Sequence, residues 1–484
     1  MYTLLLLLIP LITILLILPI NNIVIIKKLA LFSSIIELFI VLLIWILFDY
    51  NNPEYINTLM ISNIRLGIDS ISLIFIILTV LIMPIAILAG FNIKKKIKTF
   101  MILVLLTELI FMLIFTSLDI LLFYITFESS LIPMFFLIGL YGSDSQGMFK
   151  GKINKEKTRI YASYKFFLMT FAGSLLMLLS IIKIYTYYGT TDYLLISTFN
   201  IDNNLQIILW LGFFISFAIK TPLLPVHQWL PLAHTEAPLT GSIILAALML
   251  KLATYGFIKY SLILFPYAST YFLPLIMTLC IISLIYSSFS TLRQIDMKKI
   301  IAYSSIGHMA IIIMALFSNN YQGITGALFL SFAHGLTSPA LFICVGILYN
   351  IFHTRIILYF KGLSIYMPLL SSLTFIFILA NMSTPLTSNF IGEFISFISI
   401  FNYHFPFTAI IFTISIILVP VYSIYFYIKN FFGSYSIYLK SYQDINILDF
   451  NLLITLLGFI LFTGIFPNSL LNILELPVSM IIIH

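Results

Sequence analysis

Apolar runs of about twenty residues recur along this chain, and basic residues gather in every second gap between them. A helix rises about 1.5 Å per residue, so a run of this length matches a hydrocarbon core about 30 Å thick. Backbone polar groups in lipid are satisfied only within helices or closed barrels, and a barrel strand needs only about ten residues. The runs predict helices near 2–20, 29–48, 70–90, 98–117, 119–139, 160–187, 205–233, 238–265, 268–288, 299–318, 323–349, 368–400, 405–432 and 450–472. The expected fold class is all-α, a polytopic membrane protein with about 14 transmembrane helices. Helices seven and twelve are unusually long and are expected to be broken.

Charge placement tests that count. Gaps after odd-numbered runs hold Lys27, Lys28, Lys94, Lys95, Lys96, Lys98, Lys150, Lys152, Lys155, Lys157, Arg159, Arg293, Lys298, Lys299, Arg355, Lys361, Lys429 and Lys440, against 24 basic residues in all. The opposite gaps hold only Arg65, and the rest lie inside runs. Basic residues stay on the cytoplasmic or matrix side, and one miscounted helix would scramble the alternation. Both termini are then expected on the other face. The start, Met1-Tyr-Thr and then Leu4–Ile9, lacks an arginine-rich transit peptide and a small-residue cleavage site.

Heavy use of Ile, Leu, Phe, Tyr and Asn with only four arginines suggests an AT-rich genome, organellar or bacterial. The net charge of +7 follows topology, so it does not imply nucleic acid. Cys280 and Cys344 sit in apolar runs with no partner motif, too few for a zinc or iron–sulfur site by themselves. Nucleotide binding has no visible motif.

Ionisable groups inside the runs carry the functional signal, because charge at membrane depth is costly. Lys220 ends an apolar stretch and enters Thr221-Pro222-Leu223-Leu224-Pro225-Val226-His227, where two prolines halt the helix. A second break, Asn381-Met382-Ser383-Thr384-Pro385-Leu386-Thr387, precedes Glu393. Glu128, Lys251, His308 and His334 each fall within about 5 Å of the midplane by helical rise. Shared depth points to a lateral row of protonatable groups. Each residue also has a structural reading: Lys220 as a counter-charge, Glu128 as a protonated hydrogen-bonding acid, and the histidines as packed polar groups. His227 and His234 follow the first break and stand between the two readings. Glu37 and Glu108 lie in runs with no motif around them and read as structural.

The broken helices are the fourth members of two consecutive five-helix blocks of opposite sidedness, the layout of inverted repeats. The expected division is residues 1–97 as N-terminal helices, 98–265 and 266–432 as the two repeats, and 433–484 as a C-terminal loop with the last helix.

From about Leu121 to Phe432 the chain resembles the antiporter-like membrane subunits of respiratory complex I. The carrying stretches are FYITFESSLIP (123–133), IKTPLLPVHQWLPLAHTEAPLTGS (219–242), LMLKLATYG (248–256), DMKKIIAYSSIGHM (296–309), FAHGLTSPALF (332–342) and PLTSNFIGEF (385–394). The resemblance places Glu128 and Lys220 at the family's glutamate–lysine pair and Lys251 at its central lysine. His308 and His334 take polar-axis positions and Glu393 the acidic end. His227, from its own place after the first break, is added as a candidate for proton translocation. Sister chains usually carry lysine at the Glu393 position, so glutamate points to one branch of the family. Ala253 and Thr254 stand where two glycines are usual, and Lys259 where an arginine is common.

The resemblance implies a proton-translocating subunit with no cofactor of its own. NADH, FMN, iron–sulfur clusters and ubiquinone would belong to partner subunits, among them neighbouring antiporter-like chains. The expected setting is the mitochondrial inner membrane, termini toward the intermembrane space, with a bacterial plasma membrane as the alternative. Membrane lipids would surround it. Pairing with Glu128 would favour charged Lys220, and separating the pair would leave a desolvated ammonium able to release its proton. Lys251 and the histidines would relay it to Glu393. Two other readings stay open here: a subunit of a multisubunit sodium/proton antiporter, and a scaffold or quinone-binding anchor whose charges only hold helices together.

Overall fold

The computed structural model describes residues 2–49, 56–61, 64–142, 155–402, 406–434 and 444–483. Lys150, Lys152 and Lys440 lie outside the described residues.

Helix occupies each of the fourteen apolar stretches. Helices α1 (Tyr2–Ile17) and α2 (Ile23–Ile46) lead into strands β1 (Ile56–Ile61) and β2 (Ile64–Ile68). The strands pair antiparallel, Leu59 opposite Leu66. This hairpin corrects the all-helical expectation. Ile64, Leu66 and Ile68 alternate with Arg65 and Gly67, an apolar period of two with β-branched Ile at both ends, and the segment is too short to span.

Next come α3 (Ser70–Ala89), α4 (Ile97–Thr116), α5 (Ile120–Ser129) and α6 (Leu131–Tyr141). The last two form one 22-residue apolar segment that turns at Ser130, three residues before Pro133. Asp69 caps α3 by accepting from the Ser72 N–H, and its carboxylate pairs with Lys259 Nζ at 3.1 Å. Burial alone would raise the Asp69 carboxyl. The Lys259 ammonium and Ser72 outweigh that and hold it below its usual range.

The middle of the chain holds α7 (Lys155–Tyr188), the short α8 (Tyr193–Ile196), α9 (Asn203–Lys220) and α10 (Trp229–Glu236). There follow α11 (Leu239–Ile244) and α12 (Leu250–Gly256), with π-helical turns at Leu245–Met249 and Phe257–Leu262. The second half runs through α13 (Pro266–Tyr271), α14 (Leu273–Arg293), α15 (Met297–Leu316), α16 (Tyr321–Phe352) and α17 (Leu363–Tyr366). It ends with α18 (Pro368–Asn381), α19 (Ser388–Asn402), α20 (Pro406–Phe431), α21 (Ile447–Ile465) and α22 (Asn468–Ile483). Helix α22 was not expected as a separate element. The last run was read to residue 472, but Phe466-Pro467 ends α21, and Pro467 cannot supply an N–H to continue it.

Among the described residues, twelve helices are long and apolar enough to cross a membrane by length and composition. Four more, α1, α18, α19 and α22, are apolar but shorter. Burial separates centre from rim. The most apolar stretches of α16 and of the Leu239–Leu262 segment are wholly buried, whereas only 29% is buried in the corresponding stretch of α20. A helix that is apolar all round and buried belongs at the heart of a membrane bundle. Helix α16 packs against both α15 and α19, and these three helices carry His334, His308 and Glu393. The approach of α16 to α19 is close: a Cβ on Gly392 would lie 2.7 Å from Leu330 Cα.

Candidate functional site

Helix α9 stops at Lys220, and helix resumes only at residue 226. Local groups absorb the carbonyls that Pro222 and Pro225 leave over. Trp229 Nε1 donates to the Ile219 carbonyl at 2.8 Å, the Leu223 N–H to Ala218 at 3.0 Å, and the Thr221 hydroxyl to Phe217 at 2.8 Å. A lysine in the last turn of a helix also sits at the favourable end of its dipole.

The buried Lys220 ammonium donates to the Phe127 carbonyl at 3.0 Å and to the Ser130 hydroxyl at 3.4 Å, and it lies 3.2 Å from the Phe127 ring centroid. It therefore meets α5 at its last turn, one residue from Glu128, without touching the carboxylate. Among the described residues no ion pair joins Lys220 to Glu128. Glu128 instead lies beside the Ser174 hydroxyl of α7, with Oε1 buried and unpartnered. The pair expected from sequence is thus adjacent and open.

Lys251 lies just past the first π turn, and its ammonium donates to the Ala246 carbonyl, five residues back, at 2.6 Å. The same Nζ is 2.8 Å from His334 Nδ1. The His334 ring lies 5.3 Å, centroid to centroid, from that of His308. His308 Nδ1 is in turn 2.9 Å from Glu393 Oε1, although the contact lies off the line of a hydrogen bond. Lys251, His334, His308 and Glu393 therefore form one uninterrupted row, buried save for a 12% exposed Glu393 side chain. Glu393 sits one turn past the second break, where Ser383 and Leu386 take left-handed backbone with φ of 56° and 75°.

His227 is not in this row. It meets Tyr286 at 5.2 Å and Tyr303 at 6.2 Å between ring centroids. Tyr303 lines a narrow cavity of about 10 Å³, room for roughly one water, together with Ser287, Ser288, Ser304, His308 and Tyr422. The cavity places polar groups between His227 and the row. His234, which follows the first break without a place in the expected axis, is fully buried and stacks on Phe342 at 4.5 Å, with both ring nitrogens unpartnered. It is close enough to Lys251 and His334 to share their electrostatic field. Its signal was a histidine seven residues past a membrane break. Tyr422, buried beside Glu393 and bonded to Asn381, gave no sequence signal.

A helical membrane protein with lysines, histidines and acids aligned in its dry interior, next to two interrupted helices, has the make-up of an ion-translocating subunit. Comparison with known proteins gives the family. The family model described as NADH:quinone oxidoreductase/Mrp antiporter, TM matches residues 117–419. NADH-ubiquinone oxidoreductase chain 4 of Mycosarcoma maydis is 45% identical over 460 residues, 94% of this chain and 92% of that protein. Among solved structures, a chain of respiratory complex I from Thermus thermophilus with bound NADH is 25% identical, with a TM-score of 0.87 over 99% of this chain and 100% of that one. A chain of the Mrp complex from Dietzia sp. DQ12-45-1b shares the fold, with a TM-score of 0.87 at 15% identity over 99% of this chain and 96% of that one. This chain belongs to the NADH-ubiquinone oxidoreductase chain 4 family of antiporter-like membrane subunits.

Proposed function

We propose that this chain translocates protons as a membrane subunit of NADH:ubiquinone oxidoreductase, along a lateral Glu/Lys/His axis. The observation that carries the proposal is the unbroken contact from Lys251 through His334 and His308 to Glu393. Each member can hold or release a proton at the stated atom. A proton on Lys251 Nζ faces the His334 Nδ1 lone pair, and a proton on His308 Nδ1 faces Glu393 Oε1. Rotation of the imidazoles closes the step between the two rings.

Lys220 and Glu128 are the gate at the other end. With the ammonium on the Phe127 carbonyl, the gate stands open; drawn onto Glu128, the pair favours the charged lysine. His227, through Tyr303 and its cavity, supplies a side connection. The chain spans the membrane fourteen times, as two inverted repeats at 98–265 and 266–432 with broken seventh and twelfth helices, flanked by 1–97 and 433–484.

A mitochondrial inner membrane with both termini on the intermembrane-space face fits the alternation of basic gaps. NADH, FMN, iron–sulfur clusters and ubiquinone are assigned to partner subunits, other antiporter-like chains are its neighbours, and lipid covers its rim. The driving force reaches the chain from those partners. Moving one proton against 100 mV costs about 2.3 kcal/mol, and the row itself only passes protons on.

The test is NADH-driven proton uptake by sealed vesicles carrying the assembled complex. With His334→Ala or His308→Ala, pumping is expected to fall at least tenfold per NADH-driven attempt while the complex still assembles on native gels. Wild-type pumping in both variants would break the axis. Pumping that requires sodium would instead favour the sodium/proton antiporter reading.

A further inference from the structure

Glu37 stands in the middle of α2 and Glu108 in the middle of α4, and both are fully buried. Helices α2 and α4 pack together, the two carboxyl groups are close enough to act on each other directly, and all four of their oxygens are buried without a hydrogen-bond partner. Ionised carboxylates only accept hydrogen bonds, so two of them facing each other repel and bond to nothing. One proton turns that repulsion into an O–H···O⁻ bond, among the strong hydrogen bonds.

No nearby group supplies the charge in the proton's place. Helix α2 packs on α1, α3 and α4, and helix α4 on those and on α5, α6 and β2. Among the described residues, the titratable or charged groups on these elements are Tyr2 on α1, none on α3, Tyr124 and Glu128 on α5, Tyr141 on α6 and Arg65 on β2. Arg65 is engaged by Asp192 at 2.9 Å. On the glutamates' own helices, Lys27 and Lys98 each lie ten residues away, about 15 Å along the axis, and reach backbone carbonyls of Phe91 and Leu18, while Lys28, nine residues from Glu37 and about 14 Å along the axis, is exposed. A metal cation would need about six oxygens, beyond what two side chains in an apolar setting offer.

We propose that Glu37 and Glu108 form a proton-binding carboxyl pair between α2 and α4, a site separate from the row that runs from Lys251 to Glu393. Its ligand is a single shared proton, and the pair ties the N-terminal helices together at mid-membrane.

Infrared spectroscopy of the intact purified complex tests this at neutral pH, comparing wild type with Glu37→Gln, Glu108→Gln and the double variant. Glutamine mimics the neutral acid in size and hydrogen bonding, so both single variants are expected to assemble. The wild-type-minus-double-variant spectrum should contain the C=O stretch of a carboxylic acid, shifted when the buffer is exchanged for D₂O. A difference spectrum with carboxylate bands only would overturn the proposal, since both groups would then be ionised. So would loss of the acid band on adding sodium or potassium chloride, which would make the ligand a metal cation. Failure of both single variants to assemble would also overturn it, because each keeps one neutral and one acidic partner.

Discussion

Glu393 is the one member of the row with measurable exposure, at 12%, and it ends the contact chain. Its carboxylate faces His308 and closes the row, so in the proposed axis it is the group that exchanges protons beyond the interior. Glu393→Gln keeps the shape and removes titration. It is expected to slow quinone-linked turnover and pumping by roughly tenfold or more, the range for losing a positioned acid or base, with assembly intact. Normal rates for both would take Glu393 out of the pathway. Lys220 and Glu128 call for a different experiment because they are adjacent without being paired. If they act as one gate, Glu128→Gln and Lys220→Met should each impair pumping, and the double change should cost less than the sum, with coupling of about 0.5–3 kcal/mol. Strictly additive losses in assembled complex would make them independent. Sequence reasoning picked out both residues by type and depth. It could not see that the ammonium would rest on the Phe127 carbonyl, because that depends on how the end of α9 meets the turn between α5 and α6.

At the scale of elements, the row exists because four helices meet, α12, α15, α16 and α19. Gly392 lets α19 approach α16, and an added Cβ would press on the backbone of Leu330 at 2.7–2.9 Å. Backbone cannot swing aside as a side chain can, so Gly392→Ala should push α19 outward by a few tenths of an ångström or more. Glu393, the next residue, moves with it. The expected outcome is a pumping defect like that of Glu393→Gln, with lowered thermal stability of the complex. Pumping and melting temperature both at wild-type levels would show that the contact yields without consequence. The helix breaks were legible from Pro222, Pro225 and Pro385, since proline leaves a mark in sequence. The π turns beside Lys251 were not, because LAALM (245–249) and FIKYSL (257–262) carry no residue that marks a wider turn, and only the packing around them selects it. The β-hairpin was missed for a related reason: a search for twenty-residue runs passes over a five-residue alternation such as Ile64–Ile68.

For the whole molecule, the alternation of basic gaps makes a prediction about sides. Asn200 follows the sixth apolar stretch and Lys361 the eleventh, and both are exposed. They should therefore open on opposite faces of the membrane. The native cysteines, Cys280 and Cys344, are buried and free, so a single new thiol can be read against them. In intact mitochondria with a permeabilised outer membrane, an impermeant maleimide should label Asn200→Cys but not Lys361→Cys until the inner membrane is opened. Equal labelling of both before opening would discard the fourteen-span topology. The rim matters at this scale too. Helices such as α20, mostly unburied in isolation, present Ile410, Ile414 and Ile417 outward, an apolar belt suited to acyl chains and neighbouring subunits.

The two π turns around Lys251 give that helix slack. Each holds one residue more than an α turn would, stored as a local bulge in a segment otherwise locked by burial. Returning one such residue to α geometry would turn everything beyond it by about 100° and advance it by about 1.5 Å. Lys251 would then point away from His334, and the Ala246 carbonyl would lose its ammonium to the ordinary backbone ladder. In the proposed axis, the contact between Lys251 and His334 thus hangs on where a single surplus residue sits, much as a zip is open or closed by one misplaced tooth.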